Sequence, residues 1–177
     1  MSLMCCNISY AQSMLSLNDY ISKNSNWNKD PISLVYVFKR CGAVYFYASA
    51  IVGKNDKLKK DLEGASSFAL KFAYDVLIEE KQMNSSEATD IVYNALDKII
   101  SKYSNDGNDF YASTGDYTMG NYIGKDLKLC QGLIEAVNWK WQQSDNTYCC
   151  KICLCINILD KKVSEVVPPH GFEPRTY

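Results

Sequence analysis

The stretch PISLVYVFKRCGAVYFYASAIVG, residues 31–53, decides how the rest of the chain is read. Leu34, Val37, Phe38, Cys41, Val44, Tyr45, Ala48 and Ile51 recur at spacings of three and four, which places them on one side of an α-helix. Val35, Tyr47 and Val52 widen that stripe. A helix apolar over so much of its surface belongs at the centre of a core. Its ends are marked as well. Asp30 is a natural N-cap, Pro31 suits the first turn, and Gly53 supplies a stop. The apolar run 41–53 has 13 residues and follows Lys39 and Arg40. A bilayer span needs about 20 residues, so no membrane span is predicted and a buried helix is.

Outward from this segment the same period recurs. Residues 11–22 form a short first helix with Met14, Leu15, Leu17 and Ile21 on its apolar side, followed by the polar loop NSNWNKDP. A third helix is expected from 56 to about 82, carried by Leu58, Leu62, Ala65, Phe68, Ala69, Phe72, Val76 and Leu77. Small residues from Gly64 to Ala73 on it permit close helix approach. The fourth begins at Asn84, with Glu87 three residues on, a variant of the capping box. Ala88, Ile91, Val92, Ala95, Leu96, Ile99, Ile100 and Tyr103 continue it to the turn cluster SNDGND, 104–109. A loop of about 17 residues then leads to a fifth helix, 122–141, with Leu127, Cys130, Leu133, Ile134 and Val137 facing inward. The fold class that follows is all-α: an antiparallel bundle of four to five helices with a long loop before the last.

At 177 residues the chain is long enough for one cooperative domain. Hydrophobic residues make up 47% and charged residues 22%, in the globular range. The 19 basic side chains nearly cancel the 20 acidic ones, so no field of one sign favours nucleic acid. The run KNDKLKK, 54–60, reads as a solvated helix start.

Both termini differ in character from the middle. Residues 1–11 end in SYA before Gln12, the small-residue pattern of a signal-peptidase site, and are read as the remnant of a signal peptide. The last residues, VVPPHGFEPRTY, shift abruptly to Pro, His and Arg. GFEP is also the peptide encoded by the reverse complement of a transfer-RNA T-arm. Residues 142–177 are therefore expected to be an extension of the 12–141 bundle whose end reads through into such a gene.

Few residues offer chemistry. The single histidine, His170, lies in the extension, which leaves Ser-His or Cys-His catalysis without a base. No cofactor is predicted and the chain is read as non-catalytic. In CCKICLC, the thiols of Cys149, Cys150, Cys153 and Cys155 have the density to bind Zn²⁺ or Cu(I), but no second pair of ligands accompanies them. Placing Gly107 at the sixth position of a calcium loop puts Lys102 at the first, so Asp106, Asp109 and Asp116 are assigned to turn chemistry. Phe110, Tyr111, Tyr117 and Tyr122, with Met119, sit around the predicted long loop and make it the candidate binding loop, best suited to a protein partner. Lys39 or Arg40, if buried beside Asp126, would form an ion pair.

Cys41 and Cys130 both fall on buried stripes, with 88 residues between them. In an exported protein they would join the second helix to the fifth through a disulfide, contributing up to about 4 kcal/mol. In a reducing compartment they are two core thiols acting as small hydrophobes. The residues leave both readings open.

FKRCGAVYFYAS, followed much later by GKDLKLCQGLI, resembles a pattern in small exported helical proteins of unknown function from marine and other alphaproteobacteria. In those proteins an Arg-Cys pair stands on an early helix and Asp-Leu-x-x-Cys on the last. The resemblance covers roughly residues 12–138. It implies a Cys41–Cys130 pair and a periplasmic or secreted location, and it implies no reaction. The expected function is thus an exported accessory or binding protein. The alternative is a cytoplasmic metal-binding protein built on Cys149–Cys155.

Overall fold

The computed structural model describes residues 14–118 and 120–143, of which 138–143 are described as backbone only. Residues 1–11, Met119, the Cys149–Cys155 cluster and His170 lie outside the described residues, as does all of the 142–177 extension beyond Gln143. Among the described residues there are six helices and no strand: α1 Leu17–Lys23, α2 Pro31–Ile51, α3 Asp56–Lys81, α4 Ser85–Tyr93, α5 Leu96–Thr114 and α6 Ile123–Gln143. The architecture is an all-α helical bundle, as the periodicity requires.

The central position of α2 follows from its composition. Its Leu34, Val37, Phe38, Cys41, Ala43 and Val44 are buried, and it packs against α3, α5 and α6. Asp30 caps its start by accepting from Ser33 N at 2.9 Å, and Pro31 occupies the first turn. Gly53, with φ of 66°, turns the chain into α3. On α3, Ala69, Phe72, Ala73, Val76 and Leu77 face the core, while the expected core residue Leu58 is 43% exposed. Phe38 and Phe72 meet with ring centroids 4.3 Å apart. Trp27, in the loop read as polar, is buried in the same core.

The region from Asn84 to Tyr122 departs from expectation in two ways. Asn84 does cap a helix, accepting from Glu87 N at 2.9 Å. The expected continuous stripe, however, is broken at Asn94 and Ala95, where Ala95 adopts a left-handed φ of 59°. The predicted fourth helix is therefore two, α4 and α5. Lys39 explains why the break is tolerated. Its Nζ donates to Ile91 O at 2.8 Å and also to Asn94 O, carbonyls that the interruption leaves without helical donors. Secondly, SNDGND does not stop the helix. α5 runs through it to Thr114, and the loop of about 17 residues shrinks to the segment Gly115–Tyr122.

Tertiary contacts override the turn propensity there. Gly107 sits against Tyr47 and the Tyr117 carbonyl, where a Cβ would overlap the Tyr47 hydroxyl. Asp106 is buried and gathers the following loop: its carboxylate accepts from Asn121 N at 3.0 Å, Asn121 Nδ2 at 2.8 Å and Tyr122 N at 3.3 Å. In α6 the inward residues are Ile123, Leu129, Cys130, Leu133, Ala136 and Val137, whereas Leu127 and Ile134 are half-buried.

Candidate functional site

The chemistry-bearing side chains gather in three places. The first is the seam between α2 and α6. Arg40 and Asp126 form an ion pair in which both side chains are 0% exposed. Arg40 Nε donates to Tyr103 Oη at 2.9 Å, and its Nη1 donates to Leu15 O at 2.9 Å and Tyr36 Oη at 3.2 Å. Asp126 accepts from Arg40 Nη2, from Tyr103 Oη at 2.6 Å and from Leu17 N at 2.7 Å. Four parts of the fold thus meet at one guanidinium: the strap before α1, α2 itself, α5 and α6.

One residue along α2, and one turn along α6, Cys41 and Cys130 are joined by a disulfide with Cα atoms 5.3 Å apart. The spacing explains the coincidence. Residues 126 and 130 share a face of α6, so the face that presents the carboxylate to Arg40 also presents the thiol to Cys41.

The charges of this centre are fixed by one another. Burial lowers the Arg40 pKa, but the fields of Tyr103 and Asp126 more than reverse that and raise it above its ordinary value. Burial pushes the Asp126 carboxyl up, opposed by Arg40, Tyr103 and the Leu17 N–H. Burial, and then Asp126, push the Tyr103 phenol well above the ordinary tyrosine value. All three side chains are fully buried, and their mutual bonds anchor the strap before α1, α2, α5 and α6 to one another.

The second place is the candidate binding loop. Phe110 and Tyr111 stand on the last turns of α5, and only Tyr117 and Tyr122 lie in the connection. The four rings do not form one face. Tyr111 and Tyr117 stack with centroids 3.9 Å apart, while Tyr122 turns away to meet Tyr103 edge-on at 5.6 Å and donates its hydroxyl to Lys102 O at 2.8 Å. Tyr47 Oη donates to Tyr117 O at 3.1 Å and ties the loop to α2. Asp116 accepts from Thr118 N at 2.6 Å, and that bond with its hydroxyl partner lowers the carboxyl pKa. Asp116 therefore does the turn work expected of it, whereas Asp106 stands within α5 and holds Asn121 and Tyr122 instead. Among the described residues no group of three or more His, Cys, Asp or Glu is placed to hold a metal ion.

The third place was not legible as a site in the sequence. A groove of about 710 Å³ runs between α1, α2 and α5, lined by Lys23, Lys39, Lys98, Lys102, Tyr20 and Tyr36 among others. The Tyr20 and Tyr36 rings lie 4.6 Å apart. The i, i+4 spacing of Lys98 and Lys102 is the only local signal. Their meeting with Lys23 depends on how α1 docks. No protein-family model, curated protein or solved structure matches this chain.

Proposed function

We propose that this chain is a small exported helical protein of the periplasm or extracellular space, acting by binding rather than by catalysis. The observation that carries this reading is the Cys41–Cys130 disulfide. Both cysteines are 0% exposed and sit beside an ion pair that already fixes how α2 and α6 dock. A bond in that position suits an oxidising compartment, because cytosolic thiols are kept reduced. The non-catalytic part rests on the full burial of the Arg40–Asp126–Tyr103 centre.

The test is peptide mapping without reductant on chain produced with export and without it. The expected result is a linked Cys41–Cys130 peptide in the exported material, with unfolding made easier by reduction by up to about 4 kcal/mol. Free Cys41 and Cys130 in exported chain would overturn the reading. Metal retained at Cys149, Cys150, Cys153 and Cys155 in that case would move the function to the cytoplasmic metal-binding alternative.

A further inference from the structure

We infer that the lysine groove between α1, α2 and α5 binds a small organic anion with an apolar or aromatic body. The inference names a ligand class for the binding role proposed above and rests on that role. Four lysines line the groove, Lys23, Lys39, Lys98 and Lys102, and among the described residues no Asp or Glu lines it. None of the described ion pairs, Arg40 with Asp126, Lys59 with Glu63 and Lys71 with Asp75, involves Lys23, Lys98 or Lys102. This clustering is notable in a chain whose net charge is −1. Like charges gathered on one groove repel, and a bound anion relieves that repulsion.

The rest of the lining is suited to the body of such a ligand. Met14, Leu15, Ile99 and the Tyr20–Tyr36 pair supply apolar and aromatic surface between the charges, and Leu15 is 43% exposed. Tyr36 accepts from Arg40 Nη1, which leaves its own O–H to donate. Lys39 is already committed to Ile91 O and Asn94 O, so it positions the wall while Lys23, Lys98 and Lys102 are the groups that meet the anion. A volume of about 710 Å³ is that of a small-molecule site, too short for an extended polymer track. The floor is stiff, because Arg40 holds both Tyr36 and the Leu15 carbonyl from beneath.

The test uses the full-length chain and two fluorescent probes of one shape, anilinonaphthalene sulfonate and its uncharged relative phenylnaphthylamine. The sulfonate is expected to bind saturably, and more weakly as salt is raised. Lys98→Glu with Lys102→Glu should weaken it about tenfold, while the uncharged probe changes little. Both lysines are exposed, and unchanged circular dichroism of the variant shows that the fold survives. The uncharged probe also serves as a control for the separate apolar patch at Phe46, Leu70 and Tyr93. Sulfonate binding that ignores the two substitutions, or that is no tighter than that of the neutral probe, would overturn the inference. So would the absence of saturable binding. Each of these results with the Cys41–Cys130 bond intact removes the groove assignment alone, whereas free thiols remove the exported reading.

Discussion

Helix α2 is held on its α3 side and on its α6 side by opposite means. Against α3 the contact is apolar and close: Phe38 on Phe72, with Ala69, Ala73, Val76 and Leu77 all buried. Its one described polar tie is Ser66 Oγ donating to Gly42 O at 2.8 Å, at a point where a Cβ on Gly42 would stand 2.6 Å from Leu70 Cγ. Against α6 the contact is built around a buried ion pair, a phenol and a disulfide. The difference follows chain distance. α3 leaves α2 after the short turn 52–55, so the entropy of bringing the two together is small and packing suffices. Cys130 is 89 positions from Cys41, and many dockings of α6 would bury similar apolar area. Directional bonds distinguish one of them.

The largest expected effect breaks the polar seam. Asp126→Ala leaves the Arg40 guanidinium buried without its counter-charge and should cost about 3–5 kcal/mol in chemical denaturation. Replacing both partners, Arg40→Met with Asp126→Leu, should recover part of that loss, since no charge is then stranded. A cost below about 1 kcal/mol for Asp126→Ala would reduce the seam to ordinary packing.

On the apolar seam, Leu77→Ala should cost about 3 kcal/mol through lost burial and the cavity left behind. No second substitution of opposite charge should rescue it, and added salt should leave the cost unchanged. Strong salt dependence would show that the two seams do not differ as described.

The smallest effect at neutral pH, and the one most specific to the α6 side, is alkaline. Tyr103 is raised well above 10 by burial and Asp126, and Tyr45 is raised to about 12 by burial and Glu135. The folded protein holds these phenol protons more tightly than the unfolded chain. Their contribution is complete below pH 10; that of Tyr45 is lost as pH rises through about 12, and that of Tyr103 as pH rises through its own raised value. Denaturant midpoints, followed together with phenolate absorbance, should fall over that range. A flat midpoint would mean that the phenols ionise without strain in the folded state.

Several features that depend on neighbours along the chain agree between sequence and structure, although the first helix, expected over 11–22, begins only at Leu17 behind a Ser16 cap. The Asp30 cap, the Asn84 cap, the Gly53 turn and the α2 stripe each need only a few adjacent residues to specify them. The disagreements fall where a distant residue changes the local balance. Ala95 interrupts a clean apolar stripe because Lys39, more than 50 positions earlier, satisfies Ile91 O and Asn94 O. SNDGND stays helical because Asp106 turns its carboxylate to the backbone of Asn121 and Tyr122 instead of to its own turn. The predicted long loop is shorter than expected for the same reason: Phe110 and Tyr111 stand on the end of α5. The lysine groove was missed because its cations come from α1, α2 and α5, and only their docking brings them together.

By itself, then, the sequence determined the all-α class, the Asp30 and Asn84 caps and the central place of α2, because hydrophobic period and capping act over three or four residues. It also held Arg40, Asp126, Cys41 and Cys130 in a register that lets two helices meet on one face. Only the tertiary structure decided that the guanidinium is sealed from solvent, that α5 continues past its turn residues, and that lysines from three helices line one groove. Those outcomes depend on burial, which sets the cost of each charge and the strength of each hydrogen bond. Burial is a property of the packed helices together and is not encoded at any single position.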